Sequence, residues 1–480
     1  MKLRYAYLLF FGTLLFSITS CTKELERINK DPNAAQIAQT DFLLTAATKN
    51  MVDEYWSITR GTNPSSLFIQ HWAMIQYTDP DRYKFTSNSF QEFWTEEYSG
   101  IVNLNNIIKQ ADTEENSNYK GVALVLRSWA FSLLTDAFGD IPYKQSGLID
   151  QYLTPAYDAQ KDVYTGILDD LKNAQGYLDP DGKAIDGDII YNNNIGLWKK
   201  FANSLRLRIA LRIADQEPDV SKQVLTDIQS EGGSFINSDS EIAQLVYLNS
   251  PNQNPISNYF DTRDDYRLSK TLIDKLIQLN DPRLPVYAAK TADATPQGYI
   301  GLPNGLVVGD ASSYGFSRTS KPGAYFTEPH APAVIVSYAE VLFDRAEAAA
   351  RGFTDEDAAG LYQQAIRASF DQYGTSISDG GLNDYFNLPD VKYDATNFRK
   401  SIGNQKWIAL FGQGLEAYAE WRRLDYPQLE PAVAGALNGE FPLRFIYPGT
   451  EQSLNGKSYQ QAIANQGSDL LTTKLWFDVK

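Results

Sequence analysis

Apolar residues recur at three- and four-residue spacing over three or more turns in five long stretches of the chain. These are "DFLLTAATKNMVDEYWSI" (41–58), "SFQEFWTEEYSGIVNLNNIIKQA" (89–111), "YKGVALVLRSWAFSLLTDAFG" (119–139), "VYTGILDDLKNAQGYL" (163–178) and "LWKKFANSLRLRIALRIAD" (197–215). That spacing gathers the apolar side chains on one face of a 3.6-residue helix, so each stretch predicts a helix, the first with Asp41 as its N-cap. The segments between them are rich in Gly, Pro, Asn and Asp, as in "DPDGKAIDGD" (179–188), and predict solvated turns. No alternating run is long enough for a large sheet, and "AVIV" (333–336) and "LRFIYP" (443–448) predict local extended pieces at most. The pattern is that of a mostly α protein with little β.

Two further stretches carry more detail. In "VSYAEVLFDRAEAAARGFTDEDAAGLYQQAIRASFDQYG" (336–374), Ala339, Ala346 and Ala349 let a neighbouring helix approach closely, and Gly352 marks the break. Thr354 is the expected cap of a second helix carrying Ala358, Tyr362 and Ala365. Small residues at a helix crossing followed by a tight turn and an aromatic give the antiparallel pair of a tetratricopeptide repeat. In "QKWIALFGQGLEAYAEWRRLDYP" (405–427), Trp407, Leu410, Phe411, Leu415, Tyr418 and Trp421 fall at helical spacing and predict core, with Glu420, Arg422 and Arg423 anchoring a neighbouring element through paired bonds.

The N-terminus reads as targeting. Lys2 and Arg4 precede an apolar run from Tyr5 to Phe16, and small polar residues follow as far as Ser20. The run is too short to span a bilayer and no later stretch is expected to do so, so residues 1–20 are a cleaved leader and the rest is expected to be soluble. Cys21, the only cysteine of 480 residues, follows Ile18-Thr19-Ser20, a pattern resembling a bacterial lipobox. Cleavage there makes Cys21 the first mature residue and the site of lipidation, and several acyl chains at about 0.8 kcal/mol per buried methylene hold a protein firmly to a membrane. Residues 21–40 then form a charged tether, and "TKELE" (22–26) resembles the export signal of Bacteroidetes surface lipoproteins.

Composition narrows the chemistry. The net charge of −16 removes the cationic field that nucleic acid binding requires. One cysteine and two distant histidines, His71 and His330, exclude a disulfide framework and a Cys/His zinc site. His71 in "FIQHWAM" is expected to be a packed helix residue. "NGKS" (455–458) lacks the upstream glycine of a phosphate loop, and "DPDGKAIDGD" lacks the closing Glu of a helix-loop-helix calcium site. No Gly-x-Ser-x-Gly or His-Glu-x-x-His motif is present. No catalytic residue, metal or cofactor is expected.

The segments "LRSWAFSLLTDAFGDIPY" (126–143), "LWKKFANSLRLRIALRIAD", "SYAEVLFDRAEAAARG" (337–352), "QKWIALFGQGLEAYAEWRRLDYP" and "RFIYPGTEQSLN" (444–455) resemble the SusD/RagB family of outer-membrane nutrient-binding lipoproteins. The resemblance covers nearly the whole mature chain. It implies a single helical domain over 41–480, with tetratricopeptide-like pairs near 97–216 and 336–424 forming a scaffold and the remaining loops forming the ligand side. It also implies a surface lipoprotein of a Gram-negative, Bacteroidetes-type outer membrane that binds without cleaving. Such a protein lies on a SusC-like TonB-dependent transporter and passes it oligosaccharides or, in RagB-type members, peptides.

A sugar site needs flat aromatic faces for the apolar side of a pyranose and polar side chains for its hydroxyls, held on exposed loops. "QYTDPDRYKFTSN" (76–88) offers Tyr77, Tyr83 and Phe85 with Asp79, Arg82 and Asn88, and "DASSYGFSRTSKPGAYF" (310–326) offers Tyr314, Phe316 and Tyr325 with Arg318. Each aromatic has the alternative role of a loop anchor packed on the core. A peptide receptor and a glycan-degrading lipoprotein are the competing functions, the latter because 59 acidic residues supply carboxylate pairs in abundance.

Overall fold

In the computed structural model, residues 38–57, 63–148, 150–293 and 298–479 are described, so the leader, Cys21 and the tether through residue 37 lie outside the described residues. Each apolar stripe forms a helix: α1 (Thr40–Tyr55), α2 (Gln91–Thr113), α3 (Ser117–Phe138), α4 (Gln160–Tyr177) and α5 (Ile195–Arg212). The following α6 (Pro218–Ser230) begins on a proline, whose missing N–H is no loss in a first turn. Asn116 and Asn194 cap α3 and α5 by accepting from Asn118 N and Leu197 N. Asp41 is not the cap of α1: the helix starts at Thr40, and Asp41 sits in its first turn, where a carboxylate favours the positive end of the helix dipole.

The expectation that nothing after the leader approaches membrane-spanning length needs correction at α3, which is long and apolar enough to cross a bilayer. Its apolar residues run round the helix because α2, α4 and α5 pack on it, and 94% of its most apolar window is buried inside the protein.

Further along, α7 (Tyr338–Ala350) and α8 (Ala358–Gln372) form the expected antiparallel pair, with Gly352 in the left-handed region between them at φ +71°. The second helix starts later than Thr354 predicts. Asp357 is its cap, its side chain accepting from Ala359 N at 3.1 Å, as the short carboxylate of an Asx turn does. Two further helices follow, α9 (Phe398–Ala409) and α10 (Gly414–Leu424). Trp407, Leu410, Phe411, Leu415 and Tyr418 are buried as expected, and Trp421 is half-buried against Tyr418 and Phe441.

Among the described residues there are 19 α-helices and only four strands. β1 (Trp72–Met74), β2 (Ala243–Val246), β3 (Tyr266–Leu268) and β4 (Pro332–Val336) make two antiparallel pairs, β1 with β3 and β2 with β4. "AVIV" lies in β4, whereas "LRFIYP" is irregular and is tied to the end of α3 by Phe445 N donating to Ala137 O at 2.8 Å. His71 falls in a turn after the short helix Asn63–Phe68 rather than in it. Its ring lies on Trp407 and Phe411, Nε2 is 2.9 Å from Trp407 O, and burial lowers its pKa to about 3.

Where α3, α5, α7, α9 and α10 meet, the core is ionic. Arg208, Arg212, Lys406 and Arg423 are all buried. Arg208 Nε donates to Glu340 at 2.6 Å, and Arg212 reaches Glu416 and Glu420 at 2.6 Å each. Lys406 Nζ spans Asp344 at 2.5 Å and Glu420 at 2.7 Å. Arg423 holds Glu347 through both Nη atoms and Glu420 at 2.6 Å. Arg422 donates to Leu443 O and Asp136 O. The anchoring role expected of Glu420, Arg422 and Arg423 is thus internal: five helices are locked in one relative arrangement because each buried charge would otherwise lack a partner.

Candidate functional site

The site is built on the β1–β3 pair, whose register sets Trp72 opposite Leu268 and Met74 opposite Tyr266. Beyond Met74 the chain stays on β3, with Ile75 N donating to Asp265 O at 2.8 Å and Gln76 Nε2 to the Asp265 carboxylate. Tyr77 then leaves the surface in the left-handed region at φ 52°, with 64% of the residue exposed. A bulky residue adopts that conformation at a cost, which surrounding structure must compensate.

Several interactions hold it. The Arg263 guanidinium lies over the Tyr77 ring at 4.9 Å and near Tyr259 at 6.0 Å. Arg263 is in turn fixed by Asp265, which takes its Nε at 2.8 Å and its Nη2 at 2.5 Å and also accepts from Tyr259 OH. Asp265 is buried, so one carboxylate orients a glutamine, a tyrosine and an arginine around the exposed ring.

A second buried carboxylate ties the loop down. Asp81 accepts from Met74 N at 3.2 Å, Gly305 N at 2.9 Å and Asn304 Nδ2 at 2.7 Å. Among the described residues no cation pairs with it, and burial pushes its pKa up to about 6 against those three donors. Through Asp81 the early loop is fastened to the central one.

The central loop reaches the same place. Ser312 Oγ, in the short helix Val308–Ser313, donates to Ile75 O at 3.3 Å. Gly315 follows at φ +84°, and a Cβ there would lie 2.6 Å from Arg318 Nε. Only glycine lets Arg318 fold back to donate from Nη2 to Ser313 O at 2.7 Å. Phe316 rests on buried Arg267, whose guanidinium is 5.3 Å from the ring and donates from Nη2 to Phe316 O at 2.9 Å. Arg267 Nη1 also meets Asp264 at 2.8 Å, and Lys321 shares that carboxylate at 3.0 Å.

The two loops singled out from sequence, more than 200 residues apart, therefore converge on residues 263–267. Tyr77, Tyr314 and Phe316 present exposed rings. Arg318, Asp79 and Asn88 are also exposed, with Asp79 3.6 Å from Arg82 and 3.3 Å from Lys84. The other aromatics face inward. Tyr83 is 2% exposed, packs on Phe68, and its OH accepts from Ala432 N. Phe85 packs on Phe68 and Phe90, and Tyr325 on Phe326 and Tyr373. Arg82 is half-buried and donates from Nε to Ala434 O at 3.1 Å.

Sequence reasoning missed Tyr259, Arg263, Asp264, Asp265 and Arg267. Their signal is "NYFDTRDDYRL" (258–268), in which acids and arginines alternate around aromatics beside a buried strand.

A different groove, of about 760 Å³, lies between α4, α5 and α6 and is lined by Lys172, Asn194, Lys199, Lys200 and Asn203. Its lysines are already engaged: Lys172 with Asp227, Lys199 with Gln175 O and Leu178 O, Lys200 with Glu241. No aromatic ring lines it.

The chain matches the SusD-like family, described as "Starch-binding associating with outer membrane", over residues 32–448. No curated relative matches it. Among solved structures, a chitin-binding protein is 29% identical, with a TM-score of 0.81 over 92% of this chain and all of its own. A SusD homologue from Bacteroides fragilis is 27% identical, with a TM-score of 0.75 over 92% of this chain and all of its own. A chitin-binding SusD homologue from Flavobacterium johnsoniae shares the fold, at 24% identity and a TM-score of 0.79 over 91% of this chain and 99% of its own. The family description and two of these three structures name binding proteins. With the family match covering residues 32–448 and the fold of a 29%-identical structure shared over 92% of the chain, the chain belongs to the SusD-like family of outer-membrane-associated binding proteins.

Proposed function

We propose that this protein captures oligosaccharides at the cell surface on the face formed by Tyr77, Tyr314 and Phe316 and passes them to a SusC-like TonB-dependent transporter in the outer membrane. It is held there by lipid on Cys21, with residues 21–40 as tether. The observation that carries the reading is Tyr77: a large ring, mostly exposed, in a backbone conformation that costs energy, backed by a guanidinium that a buried carboxylate fixes. Such a ring gives the fold nothing by burial, and it is preorganised to cover the apolar side of a sugar. The chitin-binding neighbour, similar over nearly its full length, supports a glycan ligand.

The test is calorimetry of the chain from residue 21 carrying Cys21→Ser, titrated with chito- and malto-oligosaccharides, acidic oligosaccharides and peptides. Saturable glycan binding is expected. Binding of peptides alone would contradict the proposal and favour a RagB-type receptor. In cells, Cys21→Ser is expected to release the protein from the membrane fraction, and retention after a carbonate wash would contradict lipid anchoring.

A further inference from the structure

On the binding face two acids point inward, Asp79 stands outward against Arg82 and Lys84, and several cations stand outward. Asp81 and Asp265 are buried and fully engaged in holding loops, so a ligand does not reach them. The cations stand outward: the side chains of Arg263, Lys321 and Lys84 are 47%, 48% and 44% exposed, and Arg318 is exposed beside Gly315.

The imbalance is sharpest at Phe316. Arg267 and Lys321 share the single carboxylate of Asp264. Arg318 is anchored to a neutral carbonyl, Ser313 O, which fixes the guanidinium without neutralising it. Exposed Asp310 and Glu328 lie nearby along the chain and exposed Asp293 donates its backbone N–H to Ser317 O at 3.1 Å, but none of these carboxylates forms an ion pair with the cations among the described residues. The loop that carries the exposed Phe316 ring thus holds Arg318 with a neutral partner and Lys321 sharing one carboxylate with the Arg267 that lies against the ring. A guanidinium held in a fixed orientation beside a ring is suited to a carboxylate carried by whatever stacks on that ring.

We propose that the ligand of this face is an acidic oligosaccharide, one whose units carry carboxylates, with Arg318 and Lys321 as the residues that select for the charge. The inference rests on the oligosaccharide reading above. A uronate stacks like any pyranose while its carboxylate extends from the ring edge, so the aromatic and cationic parts of the site act on one sugar unit. An acidic peptide offers the carboxylate but not the flat apolar face that the rings present.

The test uses the chain from residue 21 with Cys21→Ser and uronate oligosaccharides of several linkages, each paired with its carboxyl-reduced neutral counterpart, together with an oligoglutamate. The expected result is that at least one uronate binds tenfold or more tightly than its reduced form, and that raising salt from 50 to 300 mM weakens the acidic ligand several-fold and the neutral one little. Arg318→Gln with Lys321→Gln is expected to bring the acid-to-neutral ratio close to one, with an unchanged circular dichroism spectrum. Neutral glycans binding as tightly as acidic ones would overturn this inference and leave the oligosaccharide reading intact. Oligoglutamate binding with no glycan bound, or no binding at all, would overturn both.

Discussion

Arg423 and Arg263 are the same side chain put to opposite uses. Arg423 is buried between Glu347 and Glu420, with its fork closed on carboxylates. Arg263 is half exposed, spends Nε and Nη2 on Asp265, and turns its flat face to Tyr77. The carboxylates show the same contrast. Glu347 is buried against Arg423 and Arg351, which outweigh the effect of burial and hold its pKa at about 2. Asp81 is equally buried but faces only N–H donors, and its pKa rises to about 6. In the scaffold Glu347 is matched by guanidinium groups that fix geometry; on the binding face Asp81 is held by neutral donors alone, while Asp265 fixes Arg263 and leaves its flat face and the rings outward.

The strongest way to break this contrast is to remove a scaffold cation. Arg423→Met leaves Glu347 and Glu420 buried without their partner, and we expect unfolding free energy to fall by about 3–5 kcal/mol in a denaturant titration. A loss below about 1 kcal/mol would mean that apolar packing alone positions the helices.

Next in size is the loss of the exposed rings. Tyr77→Ala and Phe316→Ala are each expected to weaken oligosaccharide binding at least tenfold, about 1.4 kcal/mol, while stability changes by no more than about 0.5 kcal/mol. A large stability loss with unchanged affinity would make the rings packing elements like Tyr83.

The smallest effect concerns pH. The folded pKa of Asp81 lies above its unfolded value, so the folded state binds the proton more tightly and stability from this group declines as pH rises from 5 to 7, by on the order of 1 kcal/mol. Asp81→Asn should remove that slope. Glu347 works the other way: its folded pKa is depressed, so its contribution is complete above about pH 4.5 and is lost as pH falls toward 2. Melting temperatures across pH 3–8 for the parent and the Asp81→Asn variant check both signs.

The helices were legible because their signal is local. Apolar spacing located α1 to α5 within a few residues, and the errors fell at caps, where Asp357 rather than Thr354 and Thr40 rather than Asp41 mark the start. The hydropathy of α3 misled for a physical reason: a helix enclosed on all sides needs no polar face. The β1–β3 pair was not legible, because three-residue strands buried on both faces show no alternation and their partners lie almost 200 residues apart. The site was half legible for the same reason. Loop composition flagged Tyr77 and Phe316, but nothing local shows that Arg263, Asp265 and Arg267 lie beneath them, and nothing local separates exposed Tyr77 from buried Tyr83 six residues on.

The central claim is that ligand binds on the face over residues 263–267, and a crystal structure of the protein with a bound oligosaccharide tests it most directly. We expect sugar rings stacked on Tyr77 and Phe316, with polar contacts to Arg263 and Arg318. A ligand seated in the groove between α4, α5 and α6, with Tyr77 and Phe316 left in solvent, would contradict the account.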